Sequence, residues 1–211
     1  MPITLPQGAV IVFQGDSITD AGRRDEPGDG LGWGYPRLTA DLLTAAYPDA
    51  GLRFFNRGVG GNTAADLRAR WQSDAIDLRP DVVSVLIGIN DTWRRYDSDR
   101  LTTTESYEKD YRHILSRVRD ETDARLLLIE PFLLPVRAEQ WQWREDLDPR
   151  IHVVRRLASE FDAALLSADG LLNQAARTVG TPETIAPDGI HPAPEGHRLL
   201  AEEWARLVTK G

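Results

Sequence analysis

The chain has 211 residues, 41% of them hydrophobic, which is enough for one buried core and short for two, so a single domain over residues 1–211 is expected. Its 25 basic and 33 acidic residues leave a formal charge of −8 without a basic stripe, which argues against nucleic acid as a partner. The lack of cysteine excludes disulfides, cysteine nucleophiles and thiolate metal ligands.

No apolar run approaches the ~20 residues that span a bilayer, and residues 1–8 lack a charged-then-apolar signal pattern, so a cytoplasmic protein with no membrane partner is expected.

In chain order, residues 9–14 form an apolar run that predicts a buried strand and ends on Gly15-Asp16-Ser17. A helix over 36–47 leads to a strand over 52–56, then to the glycine-rich Asn56-Arg57-Gly58-Val59-Gly60-Gly61-Asn62-Thr63 and a helix over 63–78. The strand at 81–87 runs into Gly88-Ile89-Asn90-Asp91. A helix over 104–121 and a strand over 125–130 follow, then an irregular segment, 132–148, carrying Pro135, Trp141 and Trp143. A helix over 149–161 starting at Pro149 and a strand over 163–167 precede Asp188-Gly189-Ile190-His191-Pro192. The last helix, 194–208, places Leu199, Leu200, Trp204 and Leu207 at helical spacing, with Trp204 as core. Alternating strands and amphipathic helices argue for a parallel sheet joined by helical crossovers, the α/β class.

Ser17, His191 and Asp188 supply the residue types of a serine nucleophile, an imidazole base and a carboxylate that holds the base in one tautomer. Asp188 and His191 stand three apart in a segment stiffened by Pro187 and Pro192. Asn90, at a strand end, offers a neutral amide donor of the kind an oxyanion hole requires, and the glycine-rich turn offers a bare backbone N–H. Ser17, the glycine turn and Asn90 all fall just past the carboxyl ends of predicted strands, where open α/β sheets keep their chemistry. Asp16 and Asp91 read first as loop-holding groups. His113, His152 and His197 lie on predicted helices without a partner at metal-ligand spacing and are expected to face solvent.

These four blocks in this order resemble the SGNH subgroup of the GDSL esterase and lipase family, from Gly15 to His191. The resemblance implies a flavodoxin-like three-layer α/β/α sandwich with a five-stranded parallel sheet. It also implies a catalytic Ser17, His191 and Asp188 and an oxyanion hole built from the N–H groups of Ser17 and Gly61 and the Asn90 amide. No cofactor or metal is implied. The Gly-x-Ser-x-Gly elbow of α/β-hydrolases is absent, since Thr19 stands where its second glycine would be.

Longer stretches, Gly15 to Asp20, Gly32-Trp33-Gly34-Tyr35 and Gly88 to Asp97, are similar to the intracellular acetylxylan esterases of that family. That similarity implies an acetylated carbohydrate as substrate and a homo-oligomer. Pro187 departs from it, since tryptophan commonly precedes the aspartate in those relatives. Asp16, Ile18, Tyr35 and Trp93 are candidates for contacting substrate, the bulky three as walls of a shallow acetyl pocket. A thioesterase or lysophospholipase of the same family and a catalytically silent carbohydrate-binding protein are the competing readings.

Overall fold

The computed structural model describes residues 2–25 and 30–211. In chain order its elements are β1 (Ile3–Leu5), β2 (Val10–Gly15), α1 (Ser17–Asp20), α2 (Tyr35–Ala46), β3 (Arg53–Asn56), α3 (Ala64–Asp74), β4 (Val82–Leu86), α4 (Ile89–Asp97), α5 (Thr104–Glu121), β5 (Arg125–Ile129), α6 (Gln140–Glu160), β6 (Ala164–Leu166), α7 (Ala168–Val179), α8 (Pro194–Arg206) and β7 (Val208–Lys210).

Every residue of β2 and β4 is buried, as expected of strands covered on both faces, which is why each reads as a continuous apolar run. Five strands pair in parallel in the order β3-β2-β4-β5-β6. Numbered within the sheet this is the flavodoxin-like order 2-1-3-4-5, whose direction of winding reverses between β2 and β4. Side-chain alternation divides the core in two. Val83, Val85, Leu126 and Leu128 pack with residues of α3, α5 and α6, whereas Phe13, Leu86, Leu127 and Ile129 pack with residues of α2, α7 and α8. The result is the three-layer α/β/α arrangement. The Trp204 indole N–H donates to Ser84 Oγ at 2.9 Å, pinning α8 to the middle of the sheet.

Several elements differ from the sequence expectation. α6 begins at Gln140 rather than Pro149, so the irregular connection is confined to residues 130–139. Proline inside a helix forfeits one backbone bond, but buried Trp143 and Leu147 before it and Ile151 and Val154 after it carry the helix through. Arg150 and Asp146 form an ion pair at 2.6 Å across the proline. α4 and α7 were not expected as helices, and β1 and β7, too short to carry a pattern, pair with each other in parallel outside the main sheet. Among the described residues no helix is long and apolar enough to cross a membrane.

Candidate active site

β2 and β4 are neighbours, and the chain leaves both at the same end, where the winding reverses; Ser17 follows β2 and Asn90 follows β4. The close approach is made possible at Gly15, where a Cβ would collide with the Thr19 hydroxyl and the Leu86 carbonyl of the adjacent strand. Asp16 caps α1, its Oδ1 accepting the Ile18 N–H at 3.0 Å. Ser17 thus occupies the first helical position, where backbone N–H groups have no intrahelical partner.

Ser17 Oγ lies 2.9 Å from His191 Nε2, and His191 Nδ1 lies 2.6 Å from Asp188 Oδ2. A carboxylate only accepts, so Nδ1 carries the proton and Nε2 presents its lone pair to the serine hydroxyl. The pair is local because the turn is: Asp188 Oδ1 accepts the N–H groups of Ile190 at 2.9 Å and His191 at 2.7 Å. Gln140 fastens this turn to α6, donating to the Asp188 carbonyl at 2.7 Å. Partial burial works against the Asp188 charge, but the hydrogen bonds from His191 and the turn prevail and hold its carboxyl at about 2. The hydrogen bond to Asp188 raises His191 above its ordinary range.

The glycine turn is pinned from three sides. Asn56 accepts the Gly58 N–H at 2.9 Å and donates to the carbonyls of Thr19 at 2.6 Å and Leu31 at 2.9 Å. Asp20 accepts the Gly60 N–H at 3.2 Å. Gly61, at φ +80°, occupies the left-handed region, and its N–H has no hydrogen bond among the described residues. The Asn90 amide donates to the Asn62 carbonyl at 3.0 Å, which fixes its plane and leaves a second N–H. Asp91 receives the Ala64 N–H at the start of α3, at 3.2 and 3.4 Å to its two oxygens. Burial pushes Asp91 up to about 7, with the Arg150 guanidinium opposing the rise.

The structure therefore brings together Ser17, Asp188, His191, Gly61 and Asn90, with Trp93 beside them, its ring centroid 6.1 Å from that of His191. Trp93 in turn meets Trp143, which stacks on Tyr96, so Trp143 covers the core edge while Trp141 is exposed. Ile18 and Tyr35 are only 2% and 0% exposed. The expectation that they wall an acetyl pocket is corrected: they lie under the site, Tyr35 packing on Phe13 and bonding Thr19 Oγ1 at 3.0 Å. Asp16 is buried too. Its Oδ2 has no hydrogen-bond partner among the described residues, and burial pushes its carboxyl up to about 7 despite the Ile18 N–H.

His113 and His152 are exposed as expected, but His197 is buried. Gly34, the residue that precedes α2, has no side chain to cap it, and His197 Nδ1 accepts the Tyr35 N–H at 3.1 Å instead. Burial lowers the His197 pKa to about 4, which keeps its ring neutral.

Arg70 is a residue that sequence reasoning missed, because an arginine two turns into a helix carries no signal. Its guanidinium donates to Asn62 Oδ1 at 2.8 Å, Gln14 Oε1 at 3.1 Å and the Gly15 carbonyl at 3.2 Å. It thereby ties the end of β2 to the loop on which Asn90 rests. Arg70→Met is expected to lower kcat about tenfold with little change in KM, through loosened positioning rather than lost binding. Arg70→Lys should not recover the loss, since one ammonium cannot reproduce the fork. Steady-state kinetics on p-nitrophenyl acetate would decide this, and wild-type kcat in both variants would refute it.

Residues 13–199 match the GDSL-like lipase/acylhydrolase family. The chain is 37% identical over 208 residues to an acetylxylan esterase of Geobacillus stearothermophilus, covering 95% of this chain and 94% of that one. The crystal structure of Axe2, an acetylxylan esterase from that organism, superposes with a TM-score of 0.88 at 34% identity, covering 97% and 96% of the two chains. A protein from Parabacteroides merdae described as a GDSL-like lipase superposes at 0.90 with 32% identity over 98% of each chain. The α/β hydrolase LAE5 from the Lake Arreo metagenome does so at 0.87 with 32% identity over 96% of each. With the family match spanning most of its length and these relatives nearly all of it, the chain belongs to the GDSL-like lipase/acylhydrolase family and is a carboxylic ester hydrolase.

Proposed function

We propose that the protein is a serine esterase that removes acetyl groups from acetylated carbohydrates, with xylo-oligosaccharides as the substrate class. The observation that carries this reading is the continuous hydrogen-bonded line from Ser17 Oγ through His191 to Asp188. Similarity to an acetylxylan esterase over nearly the whole chain supports the choice of substrate.

Ser17 Oγ attacks the acetyl carbonyl as His191 Nε2 takes its proton. The oxyanion is held by the N–H groups of Ser17 and Gly61 and the second N–H of Asn90. That Gly60 is already bonded to Asp20 favours Gly61 as the donor. His191 then protonates the departing sugar hydroxyl, leaving an acetyl-serine. Water, activated by the same imidazole, attacks the acetyl-enzyme, and acetate leaves as Ser17 regains its proton. The exposed Trp141 and Leu42 supply apolar surface for a homo-oligomer in the same reading.

The test is acetate release from acetylated xylo-oligosaccharides beside p-nitrophenyl acetate and a long-chain p-nitrophenyl ester, for the parent and for Ser17→Ala. Fast serine-dependent release from the sugars supports the reading. Serine-dependent cleavage restricted to long-chain esters would refute the substrate and keep the mechanism.

The acid limb of kcat/KM follows from His191. The base must be neutral, and Asp188 raises its pKa, so activity falls as pH drops through a midpoint above about 6.5, the unperturbed value. In Asp188→Asn the midpoint is expected to move to lower pH, because the stabilising carboxylate is gone. A pH–rate profile of both proteins checks the sign, and an acid limb that shifts upward in the variant would contradict it.

A further inference from the structure

Trp33 and Trp141 are the most exposed tryptophans among the described residues, at 60% and 67%, and neither has a part in the mechanism above. They differ in where they stand. Trp33 lines a cavity of about 350 Å³ together with Ser17, Asp20, Gly22, Arg24 and Asp25. The cavity beside Trp141, about 250 Å³, is lined by Leu134, Pro135 and residues around the end of α7 and does not include Ser17.

The Trp33 indole is held in place although it is exposed. Its backbone N–H donates to the Ala21 carbonyl at 2.9 Å. Its ring stands edge-on to the His197 ring, with centroids 5.0 Å apart and planes at 84°. His197 is itself buried, neutral and fixed by the Tyr35 N–H. Gly22 lies against the Nε1–Cδ1 edge of the indole: a Cβ there would stand 3.0 Å from Trp33 Nε1. A large apolar ring ordered before binding loses little rotamer freedom when a ligand covers it.

The remaining walls are polar. Asp20 is occupied by the Gly60 N–H and the Arg24 Nε, whereas Asp25 is exposed and the Arg24 side chain is 56% exposed, so both have groups to offer. One aromatic face beside a few hydrogen-bonding groups suits a pyranose, whose ring face is C–H and whose rim is hydroxyl. It suits a long acyl chain poorly. The volume falls within the roughly 300–1,000 Å³ of small-molecule sites.

We propose that Trp33 is the sugar platform of the enzyme: the pyranose bearing the scissile acetyl stacks on its indole in the Ser17 cavity, with neighbouring hydroxyls on Arg24 and Asp25. The inference rests on the acetyl-carbohydrate esterase reading and adds the residue that recognises the sugar.

The test compares the parent, Trp33→Ala, Trp33→Phe and Trp141→Ala on acetylated xylo-oligosaccharides and on p-nitrophenyl acetate, which has no sugar to stack. Trp33→Ala is expected to lose at least about tenfold in kcat/KM on the sugars, mostly through KM, and to stay within about threefold on p-nitrophenyl acetate. Trp33→Phe should recover most of the loss, and Trp141→Ala should match the parent. In a Ser17→Ala background, xylotriose binding measured by calorimetry should weaken at least about tenfold when Trp33→Ala is added.

Unchanged sugar kinetics in Trp33→Ala would overturn the proposal. So would equal losses on both substrates, or the sugar-specific loss appearing in Trp141→Ala instead. A parent enzyme inert on the sugars but active on p-nitrophenyl acetate is a different failure, that of the substrate reading itself.

Discussion

Ser17→Ala is expected to lower kcat on p-nitrophenyl acetate by about 10⁴–10⁶, the largest effect of any single substitution in this chain. In the proposed mechanism the hydroxyl is the atom that becomes acylated, and without it the reaction must proceed by direct attack of water. The residual rate should nonetheless exceed that in water alone, because the proposed oxyanion donors at Gly61 and Asn90 remain. The fold should tolerate the change, since among the described residues the serine side chain bonds only His191 and the α1 cap is made by Asp16. Asp188→Asn separates orientation from nucleophilicity. The amide can accept from His191 Nδ1 or donate to it, so the ring loses its enforced tautomer, and a loss of about 10⁴ is expected with the nucleophile intact. Kinetics and thermal melts of both variants supply the check. More than a tenth of parental kcat in Ser17→Ala, in a folded protein, would remove Ser17 from the chemistry.

The parts of this molecule legible in its sequence are those whose physics is local. β2 and β4 are covered on both faces and so read as unbroken apolar runs. The Asp188–His191 pair is three residues apart in a stiff turn, and the geometry follows from the spacing. Parts that depend on distant partners were not legible. Pro149 signals a helix start by its own chemistry, and only the Arg150–Asp146 pair and the buried residues on either side show that α6 runs through it. His197 sits on an amphipathic helix where solvent is the natural expectation, but an uncapped helix 162 residues away requires its ring nitrogen. Ile18 and Tyr35 are adjacent to the motifs in sequence and under them in space. Trp33 shares a cavity with Ser17 that no periodicity encodes, and Arg70 makes three hydrogen bonds to two segments outside its own helix.

Asn90→Ala is expected to cost about 10²–10³ in kcat with KM nearly unchanged, because a donor aimed at an oxyanion acts on the transition state and little on the bound ester. The Asn62 carbonyl also loses its partner, which would destabilise the fold by about 1–3 kcal/mol if water could not replace it. Asn62 is only half-buried, so water can reach it, and the melting temperature should fall less than full burial would dictate. Asn90→Asp keeps the shape but removes both donations at once, setting acceptors against the Asn62 carbonyl and where a donor is needed. A carboxylate at position 90 would stand beside the buried Asp91 and face the developing oxyanion, so it should be at least as inactive as the alanine variant. Arg70→Met is the internal comparison: it disturbs the same loop through Asn62 without removing a donor, and should cost about tenfold rather than several hundred. Equal kcat values for Asn90→Ala and Arg70→Met would mean that Asn90 holds the loop and nothing more. A loss at Asn90 ten or more times larger would assign it the oxyanion.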